Sequence, residues 1–453
     1  MGKNNRQRRA ARQRARQHRG PTPPRPGGPQ PATEDVGFRF GPSAEQLRRQ
    51  ATERRLDQLV MVGSDVGPRE LRRYVQHELT GQDQSDLTLL DELMTARVRQ
   101  LLIRAWEHGW LPLDIVHLAR RAGGRLVPLA AQAIGDYAEQ ANAARLAPPA
   151  WRDQLAAVTE EQLLVAQPAS GPAGLVAADV WRGGIGSLDV WCDVVQLAGV
   201  LSRLPKLEQV MPPPSAWGSQ RVVAPPAGSS ERDVVLNRVR ALLAKAEATE
   251  FAAEAEVFTA KAQDLMTRHA LDEALLHSST EQIDVDVRRV HLRSPYTAAK
   301  VLLLDAVGRA NRTKVIFLDA FDMATVVGTP VDVDQVEMLF TSLLIQATRA
   351  MAEAGASRSG SFDRSATFRR SFLSAYAVRI GERLMQADRQ AAASYGSELV
   401  PVLRRQTEAV EDEFARLFPS TRTMRGGYLD QRGWEAGRKA ADRAVFTAGR
   451  LSA

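Results

Sequence analysis

The sequence predicts a mainly α protein in which an N-terminal helical domain and a helical hairpin precede an α+β domain with a small β-hairpin or sheet and long C-terminal helices. Three observations predict it. Apolar residues recur at three- and four-residue intervals through most of the chain. Strand-like patterning is confined to a stretch between residues 283 and 327. Proline and glycine clusters punctuate the chain near residues 21–31 and 212–228. With 453 residues and 44% hydrophobic content, the chain can fill two or three separate cores.

Residues 1–40 lack a periodic apolar pattern, so a disordered basic arm is expected there. Lys3, Arg6, Arg8, Arg9, Arg12, Arg14, Arg16, Arg19 and Arg25 precede the first acidic residue, Glu34. These nine cations account for the formal charge of +7, because the remainder carries 51 basic against 53 acidic residues. A helical domain is expected over residues 43–210. Leu47, Leu56, Leu59 and Val60 mark its first helix, and Leu90 to Trp106 a strong one over 85–109. His108-Gly109 supplies a glycine stop, after which Leu111-Pro112-Leu113-Asp114 opens a short helix to Arg121. Further helices are expected at 125–145 and 187–203.

A Pro-rich linker is expected over 211–230, where Pro212-Pro213-Pro214 and Pro225-Pro226 cannot continue a helix. The hairpin occupies 231–275. Ser230 with Asp233 resembles a capping box, and Val235, Val239, Leu242, Leu243 and Ala246 form one apolar stripe. Ala255, Phe258, Ala262, Leu265 and Met266 form the facing stripe after a turn near Thr249. The α+β domain is expected over 280–392. Ile283, Val285 and Val287 alternate with polar residues as a strand, and Val315 to Leu318 with Ala324 to Val327 read as a β-hairpin. Thr329-Pro330-Val331-Asp332 supplies a cap, a first-turn proline and a first-turn acid for a helix to about Glu353. Helices near 364–389, 395–417 and 430–449 follow, residues 393–453 forming a C-terminal helical part.

The hairpin carries the motif Arg238, Leu242, Leu243, Lys245, Ala246, Glu247, then Glu254, Ala255, Lys261, Ala262, Gln263, Leu265, Met266 and His269. Over about forty residues this pattern resembles the domain of unknown function 2786 (DUF2786). The downstream stretch, with Val327-Gly328-Thr329, Leu339, Gln346 and Phe368 to Phe372, resembles the α+β domain that commonly accompanies it. Trp106, Gly109-Trp110, Pro112, Asp114 and Leu204-Pro205 resemble bacterial members of the same architecture. The resemblance implies a domain map and carries no activity, cofactor or catalytic residue with it.

Composition narrows the function classes. No apolar run approaches the roughly 20 residues of a spanning helix, and no tripartite secretory signal is present, so no membrane association and a cytoplasmic location are expected. The single cysteine, Cys192, excludes an internal disulfide and a cysteine-based zinc site, and its apolar neighbours assign it to packing. Fifty-three arginines against seven lysines, with abundant alanine, suggest a bacterial genome rich in GC. Gly183-Gly184-Ile185-Gly186 lacks both the following Lys-Ser/Thr and the preceding strand of a phosphate loop, so it reads as a flexible connector, and no cofactor is expected.

The best-supported expectation is a non-catalytic, nucleic-acid-associated binding protein. Arg6, Arg8, Arg9, Arg12, Arg14, Arg16 and Arg19 would neutralise phosphates irrespective of base sequence. Arg369 and Arg370, between Phe368 and Phe372, would either assist them or lie over a core formed by Phe368, Phe372 and Tyr376. The hairpin, with six basic and seven acidic residues over 231–268, suits a protein contact better than base readout. The alternative is a hydrolase using His269, His277 and His291, with Asp272 and Glu273 nearby, although none follows the spacing that places two metal ligands on one helical face. His269, at the expected helix end, reads as a capping or packing residue. A purely structural interaction module is the third reading.

Overall fold

A computed structural model describes residues 42–63, 65–163, 174–176, 187–218, 229–248, nine positions between 261 and 274, 283–356, 365–393, 399–422 and 430–444. The expected arm over 1–40 lies outside them. The chain divides into two compact units, residues 1–49 and 50–453. In the first, the Ser43 hydroxyl accepts from the Gln46 amide at 3.1 Å while the Ser43 amide donates to Gln46 Oε1 at 2.7 Å, a reciprocal cap that starts helix α1 (Ala44–Val62).

The second unit is mainly helical with one small sheet. The remainder of α1 is followed by α2 (Pro68–Leu79), α3 (Gln84–Glu107), α4 (Pro112–Ala122), α5 (Leu126–Gln140), α6 (Ala143–Leu146), α7 (Pro149–Leu163) and α8 (Ser187–Ser202). Asp83 caps α3 by accepting from the Asp86 amide. Gly109 then takes φ +83°, and a Cβ there would lie 2.7 Å from the Leu207 carbonyl, so glycine is required at that stop. Leu56, Leu59, Met94, Leu102, Trp106, Trp110, Ile115, Ile134 and Trp151 fill a first core among these helices. Helices α2 and α7 were not anticipated from the sequence. The pattern of α2 is carried by two buried residues alone, Leu71 and Val75, and five of its twelve residues are charged.

Helix α9 (Ser229–Ala248) begins the hairpin, and the described positions from 261 to 274 are also helical. Strand β1 (Asp286–His291), α10 (Thr297–Ala310), β2 (Lys314–Leu318), β3 (Met323–Gly328), α11 (Pro330–Ala356), α12 (Ala366–Ala393), α13 (Leu399–Leu417) and α14 (Gln431–Arg443) complete it. The strands form an antiparallel sheet in the order β1-β3-β2. The β2–β3 hairpin occurs where alternation placed it. Strand β1 starts three residues later than expected, so its polar continuation belongs to the strand.

The register assigns two working faces to the sheet. Val287, Arg289 and His291 pair with Val327, Thr325 and Met323, and successive odd positions share a face. Met323 belongs to the first core, while Val287 and Val327 pack with Val410 and Leu417 of α13. On the opposite face, Ala324 and Val326 enter a second core with Leu304, Val336, Leu343, Phe372, Tyr376 and Ile380. Every residue of β3 is buried because both faces are covered.

Two side-chain arrangements brace this second core. Thr329 and Asp332 cap α11, and Asp332 also accepts from Arg312 at 2.9 Å, whose other arm reaches Asp388 at 3.0 Å. Helix α14 lies on α12 through Gly433 and Gly437. A Cβ on either would press into the carbonyl of Phe368 or Phe372, so the missing side chains set the interhelical distance.

Candidate functional site

A buried polar cluster on the first face of the sheet is built from one row of helix α4. Leu111 is extended at the helix N-cap, Pro112 holds the first position, and Asp114 reaches back to accept from the Leu111 amide at 2.9 Å. Asp114, His117 and Arg121 stand three and four residues apart, which places them on one side of the helix. The sheet meets that side with Arg289, His291 and the β2–β3 connection. Asp114, completely buried, also accepts from Arg289 Nη1 and from His291 Nε2, the latter at 2.8 Å. Arg289 extends its other Nη to the Glu208 carbonyl at 3.0 Å.

The rest of the row grips the β2–β3 turn. His117 Nε2 lies 2.9 Å from the Phe321 carbonyl, and since a carbonyl only accepts, that nitrogen carries the proton. Arg121 donates to the Ala320 carbonyl at 2.9 Å and pairs with Asp322 at 2.9 Å. The Trp110 ring stands edge-on to Phe321 at 5.0 Å, with its indole N–H on the Pro205 carbonyl. The two imidazoles, His117 and His291, have centroids 5.0 Å apart and planes tilted by 32°.

Charge and burial act in opposite senses within the cluster. Burial pushes the Asp114 carboxyl up, but the Arg289 guanidinium and the hydrogen bond from His291 outweigh it and hold Asp114 below the usual carboxylate range. Burial first, and the neighbouring His291 second, lower His117 to about 4. His117 is therefore neutral at neutral pH while Asp114 is charged. Asp114 receives three donors and stands opposite one permanent cation, which is the condition under which a buried carboxylate is tolerated. Chemically the arrangement does two things. It clamps α4 to the sheet, and it fixes the ring of His291 by the same carboxylate–imidazole contact that orients a general base.

Two cavities among the described residues lie away from this cluster. A space of about 10 Å³ is bounded by Thr95, Arg99 and Asp136, and one of about 300 Å³ opens among α11, α12 and α14. Among the described residues, no group of three or more His, Cys, Asp or Glu side chains could hold a metal ion.

The residues singled out in the sequence fall in different places. Arg6, Arg8, Arg9, Arg12, Arg14, Arg16 and Arg19 lie outside the described residues. Arg369 and Arg370 are exposed on α12, whereas Phe368, Phe372 and Tyr376 are buried, so the aromatic stripe is core. In the hairpin motif, Leu243, Ala262 and Met266 are buried, Leu242, Leu265 and His269 half-buried, and Arg238, Lys245 and Lys261 exposed. The side chains of Ala246, Glu247, Glu254, Ala255 and Gln263, and residue His277, lie outside the description. Among the described residues His269 Nε2 is buried without a hydrogen-bond partner, one helical turn from Met266, whose carbonyl accepts from Gln335 at 2.7 Å.

Of the three histidines grouped by sequence proximity, His291 instead meets His117 and Asp114, 174 and 177 residues earlier. His117 was missed. Its signal was available as a polar residue one turn beyond the reach-back acid of a proline-started helix. Arg289 was missed because a charged residue in an alternating strand is ordinarily assigned to the wet face.

Residues 234–273 match a family model described as a protein of unknown function, DUF2786. Comparison with curated proteins gives no match, and comparison with solved structures gives none. No helix among the described residues is long and apolar enough to cross a membrane.

Proposed function

We propose that this chain is a non-catalytic binding protein that associates with nucleic acid through its N-terminal basic residues, the folded body serving as the platform and the hairpin as a protein-contact element. One observation carries the reading: nine cations precede the first acid, while the rest of the chain is close to neutral. Such a segment gains affinity from counterion release and needs no fixed geometry of its own. Arg369 and Arg370, exposed on α12, would serve as auxiliary phosphate contacts. The apolar stripe of the hairpin is engaged in the second core through Val239, Leu243, Ala262 and Met266, which leaves its outer side to a partner.

Fluorescence anisotropy across a salt series tests this. Full-length protein should bind short duplex DNA or single-stranded RNA with log K falling linearly in log salt. Replacing Arg6, Arg8, Arg9, Arg12, Arg14, Arg16 and Arg19 by Gln should remove most of the binding and flatten the slope, by about 0.7–0.9 for each lost phosphate contact. Absence of binding by the wild-type chain would overturn the reading.

Hydrolysis is a second reading, favoured by the Asp114–His291 pair, because His291 is oriented by a buried carboxylate and its side chain retains 23% exposure. Screening ester, amide and phosphoester substrates against the wild-type and His291→Gln proteins checks it. Turnover lost in the variant would establish that alternative.

A further inference from the structure

The 300 Å³ cleft among α11, α12 and α14 is independent of the Asp114 cluster and of the basic N-terminal residues. Alanines of α11 and α14 form part of its lining. Ala350 and Ala354, one turn apart on α11, face Ala436 of α14, and Phe368 and Phe372 lie at the floor. Any larger side chain at these three positions would occupy the space.

The rim is charged and unevenly satisfied. Glu435 accepts from Gln431 at 3.2 Å, and Glu353 and Arg432 have partners of their own. Lys439 and Arg443, one turn apart at one end of the cleft, have no carboxylate partner among the described residues, and Arg443 uses only its Nε, on the Lys439 carbonyl. An apolar floor with two adjacent unpaired cations at one end calls for an amphipathic anion. The cleft volume of about 300 Å³ falls at the lower end of the range for small-ligand sites.

We propose that this cleft binds a small amphipathic anion, with a carboxylate, sulfonate or phosphate head on Lys439 and Arg443 and an apolar body over Phe368, Phe372 and Ala436. The test uses the full chain and anilinonaphthalene sulfonate, an aromatic anion whose emission rises on transfer from water, with phenylnaphthylamine as its neutral counterpart. Saturable binding at one site per chain is expected for the anion. The double substitution Lys439→Gln, Arg443→Gln changes two exposed side chains, so folding should be retained, as near-ultraviolet circular dichroism will verify. It should weaken the anion about tenfold, through the loss of two exposed ion contacts, and leave the neutral probe unchanged. Ala436→Leu should abolish one-site binding of both. Absence of saturable binding, or one-site binding indifferent to both substitutions in a folded protein, overturns the proposal. Equal affinity for the two probes overturns the assignment of an anion.

Discussion

Two contacts hold separate parts of the second unit together, and they do so by opposite means. Helix α4 meets the sheet through a buried carboxylate, a guanidinium and two imidazoles, whereas α14 meets α12 through Gly433 and Gly437 set against the backbone of Phe368 and Phe372. The first contact is defined by charge and hydrogen-bond direction; the second is set by shape at the two glycines, with the surface ion pairs Arg379–Asp442 and Arg438–Glu382 along its edge. A polar junction costs desolvation and favours the register in which its charged groups meet their partners, here Asp114 with Arg289 and His291. A glycine packing contact tolerates no added atom and contains no titratable group of its own. The difference teaches where each contact is vulnerable.

The most damaging change should be Asp114→Ala, which leaves Arg289 buried without a counter-charge. A loss of about 3–5 kcal/mol is expected from breaking one side of a buried pair. Urea denaturation at neutral pH measures it. The corresponding change at the other contact, Gly437→Ala, should cost about 1–3 kcal/mol by forcing α14 away from α12, and the loss should be equal at pH 5 and pH 7.

Acid should also separate the two contacts. Unfolded histidine takes a proton near pH 6.5, while folded His117 resists protonation down to about 4, so the unfolded chain binds more protons between these values and stability falls as pH drops. The full excursion corresponds to about 3 kcal/mol, of which roughly 2 accrues by pH 5. His117→Gln should flatten that part of the stability curve. Asp114, held below the ordinary carboxylate range, keeps its contribution throughout this window and loses it only at lower pH. The smallest effect concerns Arg383, which donates to the carbonyls of Ala441 and Ala444 at the end of α14. Arg383→Met should cost about 1 kcal/mol, read as a shift in denaturation midpoint.

The same contrast explains what the sequence revealed. The glycine stop at Gly109, the Thr329-Pro330 start of α11, the β2–β3 hairpin and the Phe368-Phe372-Tyr376 stripe were legible because each is set by neighbours within one or two turns. Gly433 and Gly437 were not, since a glycine in a helix identifies close packing only once the opposing backbone is known. The Asp114 cluster was half legible. Its helix start is written in Leu111-Pro112-Leu113-Asp114, but the partners arrive 175 and 177 residues later on a strand whose outer-looking arginine and histidine turn inward. The DUF2786-like motif coincides with α9 and the helical positions between 261 and 274, and its Arg238, Lys245 and Lys261 are exposed.

The central structural claim is that Asp114 serves principally to compensate Arg289 and thereby lock α4 onto the sheet. A double-mutant cycle between Asp114→Asn and Arg289→Met, followed by urea denaturation at pH 7, tests it most directly. The lock predicts that the double variant is more stable than the sum of the single losses implies, with a coupling of at least about 2 kcal/mol. Additive losses, agreeing within about 0.5 kcal/mol, would contradict it and show that the two side chains act independently.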